Sequence, residues 1–111
     1  LMKDLKQSTK QRFGGMDFNY PDTEIETEIV THEGHVDKAI AEKLVQVAQR
    51  SRNLKGHGLD EGMSTRLLVY AAQLMAKGID AQSACEMALV TPLTDDPDMR
   101  DTLGAAVNTY F

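Results

Sequence analysis

The chain has no tryptophan, a single cysteine, three prolines and only 5% aromatic residues, and each scarcity excludes something. With Cys85 alone, no disulfide can form within the chain, and a reducing cytoplasm fits. No apolar run approaches the roughly 20 residues of a membrane span. No succession of charged, apolar and small residues marks a signal peptide. The sequence therefore reads as soluble and cytoplasmic. Also missing is a basic stripe interleaved with aromatics. The formal net charge is −5, and Lys3, Lys6, Lys10 and Arg12 against Asp4 and Asp17 leave residues 1–20 at +2, so the remainder is more acidic still. An acidic body of this kind is not expected to bind nucleic acid. Finally, there is no Gly-x-x-x-x-Gly-Lys-[Ser/Thr], so the phosphate-cradling loop of nucleotide hydrolases is not in these residues.

What is present is a chain of 111 residues, 41% hydrophobic, sized for one domain with one modest core. It opens at Leu1 in what reads as the middle of an element, so a piece of a longer protein is expected. Residues 1–13 suit one or two helical turns, with Ser8 or Thr9 as a hydroxyl cap. Met16, Phe18 and Tyr20 then alternate with Asp17 and Asn19, the period-2 pattern of a strand, and Pro21 ends it. One strand cannot stand alone, so its ladder partners must come from elsewhere.

After Pro21 the period changes to that of a helix. Asp22 is a candidate N-cap, Ile25, Ile29 and Val30 share a face, and Gly34 suits the left-handed position after the helix end. Val36, Ile40, Leu44, Val47 and Ser51 trace the inner stripe of a second helix that fades near Asn53. Residues 55–58 read as a flexible loop. A third helix follows Ser64, with Leu67, Leu68, Ala71, Leu74 and Met75 inward and Lys77-Gly78 closing it. Asp80 caps a fourth, whose Ala81, Ala84, Cys85, Ala88 and Leu89 form a narrow face, and Pro92 ends it. Asp96-Pro97 opens a fifth, with Met99, Leu103, Ala106, Val107 and Tyr110 on one side. The fold expected is mainly α: a bundle of four or five helices behind a short helix and an orphan strand.

Candidates for chemistry are few. Gly56-His57-Gly58 lacks the lysine and preceding strand of a phosphate loop. His32 and His35 have no third or fourth ligand nearby, which leaves them as surface histidines rather than a metal site. Cys85 has no evident base and reads as a small buried hydrophobe. Arg50, Arg52 and Lys55 read as a solvated face. Arg66 stands apart. With Ser64 as N-cap it lies in the first helical turn, where the macrodipole disfavours a cation and free N–H groups invite an anion. Spacing leaves two readings, a salt bridge to Asp60 or Glu61 or a phosphate faced jointly with the helix N-terminus. Arg12 is equally ambiguous, an exposed helix residue or one whose direction is fixed by Phe13.

Several runs resemble the C-terminal part of MoxR-type AAA+ ATPases of the CbbQ/NorQ/NirQ group. They are residues 5–13 (LKQSTKQRF), 17–21 (DFNYP), 52–59 (RNLKGHGL), 63–71 (MSTRLLVYA), 85–90 (CEMALV) and 93–97 (LTDDP). They occur in family order along essentially the whole chain. Gly14-Gly15 departs from the pattern, since the family places apolar strand residues there and paired glycines weaken a strand.

The resemblance implies that residues 1–20 are the tail of an AAA+ core and residues 21–111 its C-terminal helical lid. It implies that Arg12 is an arginine finger acting in trans on a neighbouring subunit, and that Arg66 is the sensor-two arginine, with Ser64 and Thr65 beside it in nucleotide sensing. It further implies a hexameric ring that hydrolyses ATP with Mg²⁺, a von Willebrand A-domain partner, and a client enzyme such as Rubisco or nitric oxide reductase. The reading from another class is a free-standing helical interaction module with no nucleotide role.

Overall fold

The structure, a computed structural model, describes residues 20–111. The expected lead-in helix, the residues of the expected strand before Tyr20, and Arg12 lie outside this range. Among the described residues there are five helices and no strand: α1 (Thr23–Gly34), α2 (Lys38–Asn53), α3 (Thr65–Ala76), α4 (Ala81–Cys85, running on as a π-helical turn over Glu86–Val90) and α5 (Pro97–Tyr110). The mainly helical bundle expected from periodicity is what forms.

The boundaries follow local chemistry. Ser64, Asp80 and Asp96 each accept a hydrogen bond from the backbone N–H three residues on, at 3.3, 3.0 and 2.9 Å. Backbone and hydroxyl donors of Ser83 hold the Asp80 carboxyl below its ordinary pKa. Pro97 occupies the first turn of α5, where its missing N–H costs nothing. The core gathers Leu44, Val47 and Ala48 of α2, Leu68 and Ala71 of α3, Cys85 and Leu89 of α4, and Leu103 and Val107 of α5. Each fully buried leucine contributes about 1.5–3 kcal/mol. Burial pushes the Cys85 thiol up to about 12, which makes it an inert core residue.

Three local expectations are corrected. The buried face of α1 is turned from the one expected: Glu26, Thr27, Val30 and Gly34 point inward, whereas Ile25 is 52% exposed. The left-handed residue after α1 is His35 (φ 59, ψ 45), whose N–H donates to Thr31 O. Gly34 is the last helical residue, and a Cβ there would lie 2.3 Å from the Ala72 Cβ. Its value is close approach of α1 to α3, not a left-handed turn. Residues 55–58, expected as a flexible loop, are folded into a hydrogen-bonded turn. Gly56 N–H donates to Leu59 O and His57 N–H to Leu54 O, both at 2.8 Å, and Leu59 is buried.

The π turn was not anticipated. It brings three successive side chains, Ala88, Leu89 and Val90, into the core, which one face of a regular helix cannot do. Arg100 of α5 braces it, pairing with Glu86 and donating to Thr94 O at 3.1 Å.

The Gly34–Ala72 contact yields a direct test. Gly34→Ala should destabilise the bundle by about 1–3 kcal/mol through overpacking, although alanine is the better helix former. A urea titration should show a lower midpoint, partly recovered in Gly34→Ala/Ala72→Gly. An unchanged or higher midpoint would mean that α1 and α3 are not so closely apposed.

Candidate functional site

The N-terminus of α3, which carries Ser64, Thr65 and Arg66, is held by a short segment laid along the end of α2. Gly62 is buried against α2, and a Cβ on it would come 2.8 Å from the Arg52 Cα. Met63 follows, fully buried, its N–H donating to Ser51 Oγ at 2.9 Å. The Ser51 hydroxyl donates in turn to Ala48 O at 2.6 Å. Arg52 then takes the Met63 carbonyl through Nε at 3.0 Å. Backbone and side chains thus fix where α3 starts before any apolar contact is counted.

Arg52 also carries the central interaction. Its Nη1 and Nη2 donate to Oε1 and Oε2 of Glu26 at 2.8 and 2.5 Å, the bidentate fork that a planar guanidinium offers a carboxylate. The Glu26 side chain is completely buried and that of Arg52 is 11% exposed. The Thr65 hydroxyl adds a third donor to Glu26, reaching Oε2 at 2.7 Å. The Tyr20 ring lies over the guanidinium, its centroid 3.8 Å away. Among the described residues no buried side-chain nitrogen or oxygen lacks a partner. That condition makes a buried ion pair tolerable.

These contacts sort the expected site residues. Ser64 Oγ is occupied as N-cap by Leu67 N–H, and the Thr65 hydroxyl is committed to Glu26, so both hold the helix start in place. Arg66 is exposed, and among the described residues the ion pairs are Arg52–Glu26 and Arg100–Glu86, so it is bridged to neither Asp60 nor Glu61. Among the described residues this leaves an arginine without an ion-pair partner in the first turn of α3, where backbone amides have no partner within the helix. Arg12 lies outside the described residues.

Arg52 corrects the sequence reading. Expected on a solvated face with Arg50 and Lys55, it is instead the best-connected side chain of the site. Glu26 and Tyr20 were likewise unforeseen. Their partners lie 26 and 32 positions away in the chain, beyond the reach of local periodicity, and an acidic residue in the first turn of a helix reads as a favourable surface charge. His32 and His35 are exposed, and among the described residues no group of three His, Cys, Asp or Glu could hold a metal ion.

Comparison with known proteins gives this arrangement a context. Residues 26–110 match the CbbQ/NirQ/NorQ C-terminal family. The chain belongs to this family. It is 67% identical over 110 residues to Protein CbbQ of Hydrogenophilus thermoluteolus, covering 99% of this chain and 41% of that protein. It is 45% identical over 100 residues to Protein NorQ of Paracoccus denitrificans, covering 90% and 37%. With the denitrification regulatory protein NirQ of Pseudomonas aeruginosa the figures are 45% over 97 residues, 87% and 37%. The chain spans about two fifths of the length of these relatives. As a CbbQ/NirQ/NorQ C-terminal domain, its matched region begins at the buried glutamate and takes in the rest of α1 and all of α2 to α5.

In this domain the two members of the ion pair should be strongly coupled. Glu26→Ala strands the buried Arg52 cation and should cost about 3–5 kcal/mol, read from chemical denaturation. Glu26→Leu/Arg52→Met, which removes both charges and keeps apolar volume, should cost much less than Glu26→Ala. A double variant as unstable as the sum of its singles would show that the two side chains are not paired.

Proposed function

We propose that this domain is the nucleotide-sensing helical lid of a MoxR-type AAA+ ATPase, with Arg66 as the residue that meets a phosphate. One observation carries the reading: in a chain of this family, Arg66 stands exposed and without an ion-pair partner among the described residues, on a helix start held by a buried ion pair. A first-turn arginine has no stabilising reason to be there unless an anion completes the site. Ser64 and Thr65 serve by fixing the helix start rather than by touching the ligand.

On this reading the reaction is phosphoryl transfer from ATP to water in a hexameric ring. The phosphate loop and the groups holding Mg²⁺ belong to the part of the relatives' length that this chain does not span. Mg²⁺, when bound, supplies charge neutralisation on the phosphates. Arg66 adds a fixed positive charge that follows the position of the lid, and Arg12 acts as a finger on the γ-phosphate of a neighbouring subunit. Such a ring, with a von Willebrand A-domain partner, works as a chaperone-like activator. The identity of 67% to a CbbQ, against 45% to a NorQ and a NirQ, supports a place on the CbbQ branch; the client proposed for that branch is Rubisco, with nitric oxide reductase as the alternative.

Substitution in the full-length protein separates the two arginines. Arg12→Ala should lower ATP turnover about a thousandfold or more while leaving nucleotide affinity nearly intact, because a finger acts on transition-state charge. Mixed with a subunit that lacks its Walker B acid but retains Arg12, that variant should regain activity at shared interfaces. Arg66→Ala should weaken nucleotide binding and turnover together, with an unchanged melting temperature. If both variants are folded and hydrolyse ATP normally, these roles are wrong.

A further inference from the structure

Arg52 meets three groups from three other places in the chain. Its fork holds Glu26 of α1, its Nε holds the Met63 carbonyl just before α3, and its face is covered by Tyr20, next to Pro21 where the chain enters the helical unit; Arg52 itself closes the last turn of α2. Glu26 passes the link on to the Thr65 hydroxyl, one residue from Arg66. A planar guanidinium has one orientation that satisfies a bidentate carboxylate, a carbonyl on its Nε side and a ring on its face at once. Moving Tyr20 relative to α2 therefore disturbs the same group that sets the start of α3.

We propose that Arg52 is a positioning residue that couples the segment ahead of α1, through Tyr20, to the stance of Arg66. This rests on the reading of Arg66 as the phosphate-facing arginine. In that setting Tyr20 lies where the helical unit joins whatever precedes it, so a change in the lid's attitude is felt at the guanidinium and transmitted through Met63 and Thr65 to the anion site. The connection is built of directional polar contacts, which break or hold discretely. The apolar core behind them has no such orientation.

The test uses the full-length ATPase, with ATP affinity, KM and kcat as readouts. Tyr20→Leu removes the ring and keeps apolar bulk; it should weaken ATP binding severalfold, with about thirtyfold as the ceiling that one cation–π contact sets. KM should move more than kcat. In an Arg66→Ala background, Tyr20→Leu should have no further effect, since the coupling ends at Arg66. If Tyr20→Leu sharply lowers the melting temperature, Arg52→Lys replaces it with the same expected outcomes, as lysine keeps a cation opposite Glu26 but loses the fork. If Arg66→Ala weakens nucleotide binding while the folded Tyr20 or Arg52 variant does not, the coupling is refuted and the role of Arg66 survives. Additive effects in the double variant also refute the coupling. If Arg66→Ala itself changes nothing, the role of Arg66 fails and the coupling fails with it.

Discussion

The buried ion pair between Glu26 and Arg52 is the constraint around which the rest of this domain is arranged. Each charge would be costly inside the bundle on its own, and the two are acceptable together because the carboxylate receives three donors and the guanidinium is used on its fork, its Nε and one face. Buried pairs of this kind add little net stability over apolar replacements. What this one adds is direction. Apolar stripes let neighbouring helices slide or rotate by fractions of a turn at small cost, whereas a bidentate pair has one register. The pair ties α1 to α2, and Thr65 ties α3 to both.

The second attachment of α1 to α3 is of the opposite kind. Glu26 meets Thr65 near the starts of the two helices, and Gly34 meets Ala72 near their ends, so the helices run in the same direction. One end is held by charge and hydrogen bonds, the other by two small residues that let the backbones approach. Between them Val30 is fully buried, while Ile25 is left half in solvent. Rotation of α1 toward its polar residues follows from the first attachment, because burying Glu26 against Arg52 turns Ile25 outward.

That rotation also explains what was legible in the sequence. Capping residues, proline at a first turn and the apolar stripes of α2, α3 and α5 are local signals, and Ser64, Asp80 and Asp96 stand where they were expected. Periodicity alone placed Ile25 inside and Arg52 outside, since it weighs a charged residue as a surface residue. Nothing within a helix-length window shows that a glutamate and an arginine 26 residues apart will cancel each other's desolvation cost. The π turn is invisible to periodicity for a related reason: Ala88, Leu89 and Val90 are all apolar, and only packing against the neighbouring helices decides that all three go in. The candidate site was half visible. Arg66 stands out in the sequence because it opposes the macrodipole, whereas the residues that hold its helix in place break no local rule.

If the buried pair holds the start of α3 so that Arg66 faces a phosphate, the contact must be visible with nucleotide bound. A structure of the full-length protein with a non-hydrolysable ATP analogue and Mg²⁺ tests it most directly. The Arg66 guanidinium should lie about 2.7–3.2 Å from a phosphate oxygen, with Glu26 and Arg52 still paired behind it. An Arg66 turned to bulk solvent, or bridged to Asp60 or Glu61 while nucleotide is bound, would contradict it.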